Sequence, residues 1–155
     1  MGKLIAGAFA PDFESTDQHG NKVTLNQFRG KKIILYFYPK DDTPGCTAEA
    51  CSFRDSYAPL QSLGFEIIGV SIDNEKSHKS FITKYELPFT LVSDSDHKIV
   101  EAYGVWVEKN NYGKKYMGTA RETFIINAEG IIEHIIKKVD TKDSAAQVLA
   151  LIQTN

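Results

Sequence analysis

Apolar residues along this chain come in short continuous runs separated by amphipathic stretches. Ile33 to Tyr38 is uninterrupted and closed by Pro39, a pattern that predicts a central strand covered on both faces. Phe65 to Ile72 predicts a second strand and Phe89 to Val92 a shorter third. Asp17 to Leu25 reads as a hairpin around His19-Gly20-Asn21, and Thr123 to Ile126 and Ile131 to Val139 as another around Asn127-Ala128-Glu129-Gly130.

Helical periodicity fills the intervals. Thr43 can cap a helix and Pro44 can open it without sacrificing a hydrogen bond, so one helix is expected from Pro44 to Leu63, ended by Gly64. Asn74 heads a second, with Phe81, Ile82 and Tyr85 on one side and Pro88 as its stop. A short helix is expected at His97 to Gly104, and a last one capped by Asp143 with Val148, Leu149 and Ile152 facing inward. Glu108 to Lys115 is polar enough to be a loop. Alternating strands and helices predict an α/β domain, and their order is that of a thioredoxin-like fold: a central mixed β-sheet flanked by helices, with an N-terminal β-hairpin.

Length and composition narrow this further. At 155 residues and 42% apolar, residues 1–155 suit a single domain with one core. A net charge of −2 gives no electrostatic reason to expect nucleic acid or an anionic membrane as partner. Leu4 to Ala10, after Lys3, is too short for a secretory signal before Pro11-Asp12, and Ala6 stands where a myristoylation site after Met1-Gly2 would want Ser or Thr. No run elsewhere is long enough to span a bilayer, so the expectation is a soluble cytoplasmic chain. Cys46 and Cys51 are its only cysteines, and in a reducing compartment such a pair points to redox or metal chemistry before a structural staple.

Cys46 falls in the first turn of the expected helix, where its thiolate would face the positive helix end. Lowering a thiol from a pKa near ~8.5 to about 6 takes roughly 3.4 kcal/mol at ~1.36 kcal/mol per unit. A helix terminus supplies at most about 2 kcal/mol, so a cation is needed as well. Of the three arginines, Arg29, Arg54 and Arg121, only Arg121 directly precedes an apolar strand that could hold it rigidly. Cys51 lies five residues on. In a regular helix that separation is roughly 7.5 Å of rise and about 140° of rotation, outside the ~4.4–6.8 Å Cα range of a disulfide.

Pro39-x-x-x-Thr43-x-x-Cys46 resembles the peroxidatic motif of peroxiredoxins, with Glu49 and Arg121 where that superfamily has its Glu and Arg. A second cysteine five positions after the first is similar to the Q-type branch, also called bacterioferritin comigratory protein. The likeness extends to Tyr36-Phe-Tyr-Pro39, Leu87-Pro-Phe-Thr-Leu-Val-Ser-Asp94 and Arg121-x-Thr-Phe124. It implies that Cys46 attacks a peroxide, that Thr43 and Arg121 position it and stabilise charge, that Glu49 holds the arginine, and that Pro39 shapes the loop. It also implies that Cys51 resolves the sulfenic acid as a disulfide, that thioredoxin or a similar dithiol reduces this, that the chain is a monomer, and that no metal, flavin or haem takes part.

Two other readings stay open at this stage. Thioredoxin-like copper chaperones combine two helical cysteines with a distant histidine, which here would be His134, but with a three-residue gap. A thioredoxin-like disulfide reductase needs two residues between the cysteines and a proline where Ala120-Arg121 stands. His19, His78, His97 and His134 show no paired metal spacing and are read as ordinary surface or sheet residues.

Overall fold

A computed structural model describes residues 4–153, so the reading of Met1-Gly2-Lys3 lies outside the described residues. The strands are β1 (Glu14–Thr16), β2 (Lys22–Thr24), β3 (Lys32–Phe37), β4 (Phe65–Ser71), β5 (Thr90–Ser93), β6 (Trp106–Asn111), β7 (Lys114–Thr119), β8 (Glu122–Ile126) and β9 (Ile132–Ile136). The helices are α1 (Pro44–Asp55), α2 (Tyr57–Ser62), α3 (Glu75–Tyr85), α4 (Lys98–Ala102) and α5 (Ser144–Gln153). A seven-stranded mixed sheet runs in the order β2-β1-β5-β4-β3-β8-β9, with β3, β4 and β5 parallel and β8 antiparallel to β3.

Strand β3 lies at the middle of the fold because both of its faces are apolar. Ile34 and Tyr36 point to one core, with Phe53, Ile67, Phe81, Ile125 and Val148, under α1, α3 and α5. Ile33, Leu35 and Phe37 point to the other, with Val70, Ile99, Val100 and Phe124, under α4 and the N-terminal hairpin. Gly69 on β4 is required by this packing, since a Cβ there would lie 2.7 Å from Leu91 Cδ2 and 2.9 Å from Tyr36 Cζ.

Two expectations are corrected. The helix from Pro44 does not run unbroken to Leu63; it stops at Asp55 and restarts at Tyr57. Pro59 explains the break, because its ring would collide with the Asp55 carbonyl four residues earlier. Glu108 to Lys115 is not a loop but most of the β6–β7 hairpin, turned by Tyr112 and Gly113 with φ of 53° and 85°. Positive φ at both central residues matches the twist of a two-residue hairpin. The first hairpin pairs Glu14–Thr16 with Lys22–Thr24, so its leading strand lies ahead of the expected Asp17, while Asn74 accepts the Ser77 N–H at 2.9 Å as a cap and Val148, Leu149 and Ile152 face the core, both as expected. None of the helices is long and apolar enough to cross a membrane among the described residues.

Candidate active site

The parallel strand β3 delivers the chain through Tyr38 and half-buried Pro39 into a loop that enters α1. Thr43 occupies the N-cap position with extended φ −102° and ψ 157°, and Pro44 takes the first helical position, as the sequence requires. The Thr43 hydroxyl, however, makes no capping bond; it donates to the Lys40 carbonyl at 2.8 Å. Its expected role as a cap is thereby corrected to backbone position alone, and its oxygen keeps lone pairs beside Cys46.

Cys46 is the third residue of α1 and is 1% exposed, whereas Cys51, two turns into the same helix, is half-buried. Both are free thiols. Arg121 lies just before β8, and its side chain emerges on the α1 side of the sheet. Nη2 donates to Cys46 Sγ at 3.3 Å and Nη1 to Glu49 Oε1 at 2.9 Å. The planar guanidinium thus bridges two side chains one helical turn apart, which a point-charge ammonium could not do equally well. Gly45 leaves room for it, since a Cβ there would approach Arg121 Nη2 to 3.3 Å.

Glu49 is fully buried. Burial pushes its pKa from 4.5 up to about 7, against the opposing pull of Arg121 and of Ser144, whose hydroxyl lies 3.5 Å from Oε2. Ser144 sits at the start of α5 and gives its shorter bond, 2.7 Å, to the Asp140 carbonyl. For Arg121 burial works to lower the pKa, but the neighbouring Cys46 and Glu49 charges more than offset it and raise the guanidinium further. The arginine is therefore a permanent cation at the thiol.

The approach loop is tied down by residues that sequence reading missed. Asp41 Oδ1 accepts the Tyr38 hydroxyl at 2.6 Å, and Oδ2 accepts Ser77 Oγ at 2.8 Å and lies 2.7 Å from His78 Nδ1. His78 was read with the surface and sheet histidines; it is instead completely buried on α3, with Nε2 donating to the Val92 carbonyl at 3.0 Å. Asp42 adds bonds to Lys84 and Tyr85. The signal available for this anchor was an Asp41-Asp42 pair in a loop that must be rigid, but apart from Tyr38 its partners lie over thirty residues away. Asp41, Asp73 and His78 are close enough to hold an ion, yet this cluster includes neither cysteine and its atoms already bond one another.

Residues 6–135 match the AhpC/TSA family. The chain belongs to that family, as a Q-type peroxiredoxin. It is 50% identical to a putative peroxiredoxin bcp of Coxiella burnetii over 94% of this chain and 97% of that one. Peroxiredoxin Bcp of Bacillus subtilis is 48% identical over 95% and 94%. Among solved structures, a cysteine-to-serine mutant of Xylella fastidiosa PrxQ superimposes with a TM-score of 0.92 at 30% identity, covering 99% of this chain and 98% of that one. The Xanthomonas campestris bacterioferritin comigratory protein, studied for its alkyl peroxide reduction activity, gives 0.86 at 37% identity, over 92% and 90%. As a peroxiredoxin the chain is a thiol-dependent peroxidase with a thioredoxin-like fold. The copper chaperone and disulfide reductase readings are set aside.

Proposed function

We propose that this chain, as one domain, reduces hydrogen peroxide and organic hydroperoxides through Cys46, with Cys51 as the resolving thiol. The observation that carries the reading is the Arg121 guanidinium, bonded at once to Cys46 Sγ and Glu49. The Cys46 thiolate attacks one peroxide oxygen, forming an S–O bond as the O–O bond breaks, and the other oxygen leaves as hydroxide or alkoxide and is protonated to water or alcohol. Arg121 stabilises the thiolate and the charge growing on the oxygens, while Thr43 Oγ and the Cys46 N–H orient the peroxide. Glu49 positions the arginine and Pro39 the loop. Cys51 then attacks the sulfenic sulfur, releasing water and leaving the Cys46–Cys51 disulfide. Thioredoxin or a comparable dithiol restores both thiols in a monomeric cytoplasmic enzyme.

Two variants test the assignment. Cys46→Ser should consume no peroxide. Cys51→Ser should still be oxidised once, giving a sulfenic acid that a dimedone probe traps, but should not turn over with thioredoxin. Rapid oxidation of the Cys46 variant, with none in the Cys51 variant, would exchange the two roles.

A further inference from the structure

The short loop between β3 and α1 is held in shape from outside itself. Asp42 has φ of 56°, in the left-handed region that a side chain disfavours, so the turn depends on its neighbours. Helix α3 supplies most of them: Lys84 and Tyr85 bond Asp42, while Ser77 and His78 bond Asp41. His78 is itself fixed, with Nδ1 2.7 Å from Asp41 Oδ2 and Nε2 3.0 Å from the Val92 carbonyl. None of these side chains takes part in the reaction above.

One peptide unit joins this anchor to the site. The Asp41 N–H donates to Asp73 Oδ2 at 2.8 Å, and the Lys40 carbonyl, across the same peptide bond, accepts the Thr43 hydroxyl at 2.8 Å. A trans peptide is planar, with its N–H and C=O pointing opposite ways, so a bond that fixes one fixes the other. Asp73, between β4 and α3, is held in turn, because the same Oδ2 accepts the hydroxyl of completely buried Ser71 at 2.7 Å. The consequence lies in the polarity of Thr43. A hydroxyl has one proton to give and two lone pairs to offer. With the proton committed to Lys40, Thr43 can accept the O–H of a peroxide but cannot donate to it. Turning the Lys40–Asp41 plane would free the proton and remove that distinction.

We infer that Asp73 is a positioning residue for peroxide cleavage: it orients the Lys40–Asp41 peptide and so holds Thr43 as an acceptor for the peroxide O–H, with His78 pinning the Asp41 side chain. This deepens the Thr43 role proposed above and rests on it. The effect is on orientation of the substrate, so its loss slows attack on peroxide without slowing reactions of the thiolate that need no such orientation.

The test is a double-mutant cycle with Asp73→Ala and Thr43→Val, the latter removing the hydroxyl at nearly constant shape. Oxidation by hydrogen peroxide is followed by stopped-flow fluorescence at a pH where the Cys46 thiol is fully ionised. Each single variant should lower the rate constant on the order of tenfold, and the double variant should be no slower than Thr43→Val. Asp73→Asn, whose amide oxygen still accepts the Asp41 N–H, should restore most of the rate. Alkylation of Cys46 by iodoacetamide, read by peptide mass, should run as fast in Asp73→Ala as in the native chain. His78→Gln, whose one amide nitrogen cannot replace both ring nitrogens, should show the same non-additivity with Thr43→Val, and it decides the matter if Asp73→Ala does not fold. A native peroxide rate in Asp73→Ala, losses that multiply in the double variant, or an equal loss with iodoacetamide would overturn the inference and leave the Thr43 role standing. A native rate in Thr43→Val would instead remove the Thr43 role, and this inference with it.

Discussion

At the scale of single residues, the Arg121 guanidinium ties Cys46 to Glu49 through two separate N–H donors. Arg121→Lys keeps the charge but cannot bond Cys46 and Glu49 together. At a pH where the thiol is fully ionised, the peroxide rate constant should still fall on the order of tenfold or more, equivalent to ~1.4 kcal/mol. An unchanged rate would limit Arg121 to thiol ionisation. Glu49 has a separate signature. Its folded pKa, about 7, stands above the ordinary 4.5, so the folded state binds its proton more tightly than the unfolded one. The associated stability is fully present below about pH 4.5 and is lost as pH rises through about 7, with an upper bound on the order of 3 kcal/mol. Denaturant melts between these values should show that decline in the native chain and a flatter profile in Glu49→Gln. Equal slopes would place the raised pKa elsewhere. Cys46, Thr43, Glu49 and Arg121 were legible because motif and spacing specify them. Ser144, beside Glu49, and His78, beside the Asp41 of the approach loop, were not, because each comes from an element distant in sequence that only the folded sheet brings near.

At the scale of elements, the helix holding both cysteines is regular from Pro44 to Asp55, so it is incompatible with the proposed Cys46–Cys51 disulfide. The proposed cycle therefore requires its first turns to open. The bonds to be broken include Arg121 to Cys46 and Glu49, and Ala145 N–H to Ser52 Oγ at 3.0 Å. Backbone bonds contribute only ~0.5–1.5 kcal/mol net each, so opening an end segment is feasible within a folded domain. The break at Ser56 separates this segment from α2, whose Leu60 is anchored in the core. Amide exchange over residues 44–55 should therefore accelerate in the disulfide form while residues 57–62 stay protected. Identical exchange in dithiol and disulfide forms would sink the opening. The helix start was readable from Thr43-Pro44, whereas its early end follows from Pro59, which the expectation of one helix to Leu63 did not take into account. The β6–β7 hairpin escaped because only its root, at Trp106 and Thr119, meets the core, so most of its two strands carry no alternation of apolar and polar residues.

At the scale of the whole molecule, a two-sided sheet holds β3 rigid, and that rigidity aims the Pro39–Cys46 loop at an arginine carried by the neighbouring strand β8. The apolar runs made this architecture readable, since strands buried on both faces can only lie mid-sheet. The contacts between α1 and α5 depend on tertiary placement and left no trace in the pattern. We propose that one chain completes the oxidative half of the cycle within itself. The most direct measurement is a single turnover of the native chain with one equivalent of peroxide, followed by intact-mass and non-reducing peptide mapping. The product should be a monomer lighter by two hydrogens, with Cys46 and Cys51 linked in one chain. A disulfide joining two chains, or a stable sulfenic acid on Cys46 with Cys51 still free, would contradict it.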